Sequence, residues 1–224
     1  MSELQKNLEK LTARLDLMGL RVARAVNKGL RAMADRDIVA GETVDEDDAL
    51  IDREEVDIEQ ECIKVLALYQ PAAVDLRRVF CIIKANGDLE RIADIAAGLG
   101  RRVKHIFADD IRLEHCPGYE PLAAATRDIL TMTVRMLTST DAELARQVIA
   151  ADRHLDSVYA QFVRDVLDAG RQATNIDATL TLVLLARSLE RIGDHCTNIA
   201  EDVLFLATGE IIRHSASLKK ALQA

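Results

Sequence analysis

The sequence predicts an all-α protein made of two tandem antiparallel three-helix bundles related by internal duplication. The chain has 224 residues, of which 49% are hydrophobic but only 3% aromatic, and it contains only three prolines. This composition is typical of cores in which the aliphatic side chains of long helices pack together. The hexapeptide LERIAD at Leu89–Asp94 returns one hundred residues later as LERIGD at Leu189–Asp194, which indicates the duplication.

Three helices are predicted in the first half of the chain. Apolar residues recur in steps of three and four from Leu4 to about Asp35, the pattern of one amphipathic helix. A short break at Asp35–Asp37 separates it from a second helix that runs to about Gln70. Proline is tolerated in the first turn of a helix but not in its interior, so Pro71 marks a turn. A third helix then extends from about Ala72 to Phe107.

The second half repeats this scheme after a linker. The segment from Ala108 to Pro121 contains two of the three prolines and a glycine, as is typical of a connection between domains. A fourth helix is predicted to end near Thr138, a fifth runs from Asp141 to Asp168, and a break at Gly170 leads to a sixth from about Asn175 to Thr208. The predicted domain limits are residues 1–115 for the first bundle, 119–212 for the second and 213–224 for a C-terminal tail.

Charge and motif content argue against several classes of function. A net charge of −8 and a pI of about 5.2 are not those of a nucleic-acid-binding protein. The N-terminal residues lack the apolar segment of a signal peptide, and Leu180–Ala186 is far shorter than the ~20 residues of a membrane span. The four cysteines have no CxxC spacing, which favours reduced thiols in a cytosolic protein. We therefore expect a cytoplasmic protein that neither binds nucleic acid nor inserts into membranes.

Pairs of acidic residues four apart lie on the second and third predicted helix of each half, and each pair shares one helix face. In an antiparallel hairpin, residues equidistant from the turn lie at the same height. The pairs centred on residues 50 and 92 are equidistant from Pro71, and those centred on residues 154 and 192 are equidistant from residue 173, beside the Gly170 break. Four carboxylates are therefore predicted to converge in each bundle. They are Asp48, Asp52, Glu90 and Asp94 in the first, and Asp152, Asp156, Glu190 and Asp194 in the second.

Three interpretations of these acidic residues are open. Carboxylate oxygens are the ligands that hard cations prefer, which favours a metal site. The segment Glu42–Glu61 contains eleven acidic residues and one basic residue, so part of it must be a solvated helix face. Arg91 and Arg191 could form ion pairs with the nearby acids, although sequence neighbours point away from each other on a helix. His195 follows Asp194 directly, but the first half has isoleucine at that place, so the repeat does not support His195 as a ligand.

The chain resembles the PhoU family, regulators of bacterial phosphate uptake. The resemblance rests on PAAVDLR at Pro71–Arg77, LERIAD at Leu89–Asp94 and RSLERIGDHCTNIAE at Arg187–Glu201, and with the acidic pairs it spans about residues 10–212. It implies a cytoplasmic protein that works with the ATPase of a phosphate ABC transporter and with a sensor histidine kinase. Such a protein damps phosphate uptake and the phosphate-starvation response when phosphate is plentiful. A homodimer is expected from the resemblance and from the high apolar fraction of two slim bundles.

The resemblance also implies that the acidic motifs bind multinuclear metal clusters, with iron or zinc as the reported metals, while magnesium and manganese stay open. Carried over by position, the ligands are the eight carboxylates named above. Ala93 and Gly98 stand where the family pattern has glycine and often asparagine, so the first cluster is expected to be the poorer one.

The leading functional interpretation is a non-enzymatic regulator that binds protein partners. A metal-dependent enzyme of the di-iron carboxylate kind is one alternative. Such sites need Glu-x-x-His on two helices, and none of the five histidines has Glu three residues before it. No nucleophile–base motif, phosphate-binding loop or dinucleotide fingerprint occurs either. A metal-free structural bundle is the other alternative.

Overall fold

The structure, a computed structural model, describes residues 1–171 and 176–210, and within these ranges it contains six long α-helices and no β-strand. The helices are α1 (Glu3–Asp35), α2 (Ile38–Tyr69), α3 (Ala73–Ala108), α4 (Tyr119–Ser139), α5 (Ala142–Gly170) and α6 (Ile176–Thr208). A short 3₁₀ helix over Leu113–His115 lies in the connection between α3 and α4. The prediction of an all-α fold with two tandem three-helix bundles is confirmed.

The same local device reverses the chain after the first helix of each bundle. After α1, Arg36 adopts a left-handed conformation with φ of 58°, and the Asp37 carboxylate then accepts a hydrogen bond from the backbone N–H of Ala40 at 2.9 Å. After α4, Thr140 has φ of 52°, and the Asp141 carboxylate caps α5. An aspartate at the N-cap satisfies a backbone donor that has no partner within the helix. The duplication is therefore visible in the turn chemistry as well.

The prolines and glycines fall close to the predicted breaks, with small differences. Pro71 lies in the turn between α2 and α3, as predicted. Pro121, which was predicted to lie in the linker, is instead the third residue of α4, where the missing N–H costs no helical hydrogen bond. Helix α5 continues to Gly170, but residue 173, the predicted turn centre, and the predicted tail over residues 213–224 lie outside the described residues. The domain limits stay a prediction.

The arrangement of the helices places α2 and α5 at the two outer sides of the molecule. Helices α1, α2 and α3 pack together in the first bundle, and α4, α5 and α6 in the second. The bundles meet through α3 against α6 and α1 against α4, and their buried side chains form one continuous hydrophobic core. Among the described residues, α2 contacts only α1 and α3, and α5 contacts only α4 and α6. The hairpins α2–α3 and α5–α6 that carry the acidic pairs therefore lie in equivalent positions.

None of the described helices combines the length and the apolar sequence that a membrane crossing requires. All four cysteines are free, and Cys62, Cys81 and Cys196 are buried. Burial raises the pKa of Cys62 and of Cys196 to about 12, so these thiols stay protonated at neutral pH. The expectation of buried thiols holds for these three residues, whereas Cys116 is only half-buried. That the thiols are reduced stays a prediction.

Candidate metal centre

In the second bundle, the four predicted carboxylates lie close enough to influence one another's ionisation. Burial, and then the charges of Asp156 and Asp194, raise the pKa of Asp152 on α5 to about 6. The charge of Glu190 on α6 acts in the same direction. Burial, and then the charge of Asp194, likewise raise the pKa of Glu190. Because like charges raise a carboxyl pKa only at short range, the α5 and α6 pairs share one face of the hairpin.

The first bundle repeats this arrangement between α2 and α3. Burial, and then the charges of Asp52 and Asp94, raise the pKa of Asp48 to about 6, against the opposing effect of Arg101. Burial, and then the charge of Asp94, raise the pKa of Glu90. The structure therefore brings together the four predicted residues of each half. Their role as metal ligands stays a prediction.

The two members of each acidic pair differ in exposure, and they do so in the same way in both bundles. The first carboxylate of each pair is half-buried and the second is exposed. Two of the half-buried groups, Asp48 and Glu190, have a carboxylate oxygen that is fully buried and accepts no hydrogen bond from the described residues. A buried, ionised oxygen without a donor destabilises the fold unless a cation or a proton compensates it. Each bundle thus contains one such oxygen within its acidic group.

Arginine side chains partly neutralise both groups, which differs from the sequence-based expectation. Arg91 was expected to point away from its neighbours, but its guanidinium lies 3.4 Å from the Glu90 carboxylate and 3.4 Å from that of Asp94. The argument from helix geometry concerns the direction of the Cβ atom, whereas a long, flexible side chain can turn back along the surface. In the second bundle, Arg187 forms an ion pair with Glu190. The ion-pair interpretation therefore holds for Arg91, whereas Arg191 forms no ion pair within the described residues and Arg187 contacts Glu190 instead.

The carboxylates are near one another without being arranged around a common point. Within residues 1–171 and 176–210, no three histidine, cysteine, aspartate or glutamate side chains are positioned to hold one ion together. The exposed member of each pair has room to change its rotamer, whereas the half-buried member is constrained by packing. A cation would bind here only after these side chains rearranged and the arginines were displaced, and all its donors would then be oxygens.

Gly193 lies inside the repeated hexapeptide, at the point where α6 approaches α5 closely. A Cβ atom at this position would lie 2.5 Å from Leu155 Cδ2 and 2.8 Å from Asp152 Oδ1. The residue is therefore in direct contact with the acidic face, and glycine allows the backbone of α6 to lie against the Asp152 carboxylate. The corresponding residue of the first bundle is Ala93, which is buried.

We expect Gly193→Ala to lower the free energy of unfolding by about 1 kcal/mol. Overpacking against the buried Leu155 costs about 1–3 kcal/mol, more than the gain of about 1 kcal/mol in helix propensity. Gly87→Ala is the matched control, because a Cβ atom at Gly87 would have no neighbour within 4 Å. That variant should be more stable than wild type by roughly 0.5–1 kcal/mol. Urea unfolding of Gly193→Ala, Gly87→Ala and wild type measures these differences. Equal stabilisation by the two substitutions would contradict the close approach of α6 to α5 at Gly193.

A second polar cluster, which the sequence did not reveal, lies where α3 of the first bundle packs against α6 of the second. His195 Nδ1 lies 2.8 Å from Asp88 Oδ1, and the Asn198 side chain donates a hydrogen bond to the same oxygen at 3.2 Å. Nearby, the Lys84 ammonium lies 3.1 Å from the buried Asp202 carboxylate. His195 is therefore a contact between bundles, and it lies directly beside Asp194 in sequence.

Comparison with known proteins connects this architecture to one family. The family pattern described as "PhoU domain" matches residues 15–103 and 120–203, one match in each bundle. The chain belongs to the PhoU family. Among curated relatives, a phosphate-specific transport system accessory protein PhoU homolog from Pseudomonas aeruginosa is 35% identical over 92% of this chain and 86% of the relative. A PhoU homolog of the same description from Rhizobium meliloti is 31% identical over 93% of this chain and 89% of its own.

Solved structures of PhoU proteins agree with this placement. The crystal structure of PhoU from Pseudomonas aeruginosa superposes with a TM-score of 0.86 at 32% identity, covering 93% of this chain and all of that one. The phosphate transport system regulatory protein PhoU from Streptococcus pneumoniae superposes with a TM-score of 0.87 at 24% identity, covering 94% of this chain and 99% of that one, and it supports the fold alone. The resemblance to the PhoU family drawn from the sequence motifs is therefore confirmed.

Proposed function

We propose that this PhoU-family protein is a non-enzymatic, cytoplasmic accessory protein of a phosphate transport system. In this proposal it reduces uptake through the phosphate ABC transporter, and signalling through the sensor histidine kinase, when phosphate is plentiful. Family membership over both bundles, among relatives described as phosphate-specific transport system accessory proteins, is the observation that carries the proposal. The transporter ATPase and the sensor kinase are the proposed partners, and the protein is proposed to act as a homodimer.

We also propose that the acidic face of each bundle binds metal ions, with iron or zinc as the first candidates. Asp152, Asp156, Glu190 and Asp194 would hold the ions of the second bundle, and Asp48, Asp52, Glu90 and Asp94 those of the first. The fit rests on the all-oxygen donor set and on the buried, unpaired oxygens of Asp48 and Glu190. A bound cation would supply positive charge that offsets the repulsion within each group. The side chains themselves would hold the cation and so fix the surface of the α2–α3 and α5–α6 hairpins, which partner proteins would contact.

Deletion of the gene is expected to increase phosphate uptake in phosphate-rich medium, because the negative control on the transporter is lost. The measurement is the initial rate of labelled phosphate uptake in the deletion strain, in wild type and in the strain complemented with the gene. Reporter expression from a phosphate-starvation promoter, measured in the same cells, shows the effect on signalling through the sensor kinase. Unchanged uptake and unchanged reporter expression in the deletion strain would contradict the proposed function.

A further inference from the structure

Helix α1 carries a concentration of positive charge that contrasts with the rest of the molecule. Between residues 10 and 31 it has six basic residues and one acidic residue, in a chain whose net charge is −8. The basic residues are Lys10, Arg14, Arg21, Arg24, Lys28 and Arg31. Two of them are neutralised by α2, since Arg14 forms ion pairs with Glu54 and Asp57, and Lys28 forms one with Asp47.

Several other arginines have no acidic partner in the described part of the chain, and three of them lie together. Arg21 and Arg24 of α1 and Arg53 of α2 line one groove between the two helices, with a volume of about 430 Å³. The three acidic residues of this groove, Asp47, Glu54 and Asp57, are the ones that form ion pairs with Arg14 and Lys28. With Arg14 and Lys28 included, five basic side chains meet three acidic ones in and around the groove, which leaves an excess of two positive charges.

Exposed leucines lie directly beside these arginines. Leu17, Leu20, Arg21 and Arg24 occupy positions i, i+3, i+4 and i+7 of α1, so they form one stripe along the helix. Leu17 is 57% exposed and Leu20 is 45% exposed, and across the groove Leu50 of α2 is 56% exposed. Arginine is enriched at protein–protein interfaces, and the buried centre of an interface is more apolar than the surrounding surface.

We propose that this surface, the α1–α2 groove defined by Leu17, Leu20, Arg21, Arg24, Leu50 and Arg53, docks an acidic amphipathic helix of a partner protein. A groove between two packed helices suits a third helix, whose apolar face would contact the leucines. Carboxylates at the edges of that face would pair with the unneutralised arginines, which form bidentate ion pairs. The inference rests on the proposed function, because it names a second surface, separate from the acidic faces, through which partners would be contacted.

The test measures binding to two purified probes, the ATPase subunit of the organism's phosphate transporter and the cytoplasmic part of its sensor kinase. We expect R21E/R24E to weaken binding of at least one probe about tenfold or more at physiological salt. L20S/L50S should also weaken it, and because no charge changes, this loss should persist at high salt. R135E/R153E is the matched control, because Arg135 and Arg153 are exposed residues of the second bundle and this variant changes the net charge by as much as R21E/R24E does. It should bind the probes as wild type does.

Other outcomes would overturn the inference. If wild type binds a probe and R21E/R24E binds it equally well, the surface assignment is wrong while the proposed function stands. If wild type binds neither probe, the proposed partners fail and the inference fails with them. Binding to phosphatidylglycerol vesicles but not to phosphatidylcholine vesicles, lost in R21E/R24E, would make the groove a lipid-binding face. A wild-type dimer that becomes a monomer in R21E/R24E, measured by light scattering, would make it a contact between copies of this chain. Circular dichroism establishes that each variant is folded.

Discussion

Asp194→Ala is expected to remove most of the thermal stabilisation that iron or zinc confers on the wild-type protein. At a free metal concentration of about 100 times Kd, binding to the folded state adds about 2.7 kcal/mol. For a chain of this size that corresponds to a rise in Tm of about 5–10 °C. Asp194 is one of the exposed carboxylates beside Glu190 and Asp152, so the variant loses a ligand without leaving a cavity in the core.

The control for this melt is Asp128→Ala, an exposed acidic residue of α4 outside the acidic faces, which should keep the full metal-induced shift. Asp94→Ala tests the first bundle and should cause a smaller loss, because Ala93 and Gly98 depart there from the family pattern. If wild type and Asp194→Ala shift equally when metal is added, the second bundle does not contain the site.

Asp152→Asn is expected to stabilise the metal-free protein at pH 7.5 by on the order of 1 kcal/mol and also to reduce its response to metal. Burial, and then the charges of Asp156 and Asp194, raise the pKa of Asp152 to about 6, from about 3.9 in an unfolded chain. Between these values the folded state binds more protons than the unfolded state, so its stability falls as pH rises. Above about pH 6 Asp152 is charged in the folded state, and its destabilising effect no longer increases with pH. Solvent screening at this half-buried site keeps that effect small.

Because the destabilisation by the Asp152 charge depends on pH, the stability difference between Asp152→Asn and wild type can also be followed as a function of pH. The advantage of Asp152→Asn over wild type in urea unfolding with chelator should be largest at pH 7.5 and should shrink as the pH is lowered through 6 toward 4. Asp128→Asn, at an exposed position, should track wild type at every pH. If Asp152→Asn is less stable than wild type at pH 7.5 without metal, the Asp152 carboxylate makes a stabilising contact in the fold. That result would contradict the claim that its charge destabilises the metal-free protein.

The fold and the grouping of the acids follow from information that is local in the sequence. Helix periodicity and the position of Pro71 define the first hairpin, and in a rigid antiparallel hairpin the distance from the turn fixes which residues lie side by side. That is sufficient to predict that Asp48 and Glu90 share a face. The duplication then extends the prediction to Asp152 and Glu190, although the turn centre at residue 173 lies outside the described residues.

Other features depend on how separate units pack or on how long side chains bend. The contact of His195 with Asp88 requires α3 and α6 to lie against each other, and no pattern in one helix reports the packing of two bundles. The placement of Arg91 between Glu90 and Asp94 depends on rotamers and not on the direction of Cβ. The unpaired arginines of α1 become evident only after Arg14 and Lys28 are seen to pair with the acidic residues of the α1–α2 groove.

The central claim is that the acidic hairpin faces hold metal ions, and anomalous diffraction tests it most directly. Crystals grown with iron or zinc would be measured at energies above and below the absorption edge of the metal. We expect an anomalous peak between α5 and α6, within ligand distance of the Asp152 and Glu190 carboxylates, and a weaker one between α2 and α3 near Asp48 and Glu90. A peak elsewhere on the molecule, or none in crystals grown at saturating metal, would contradict the claim.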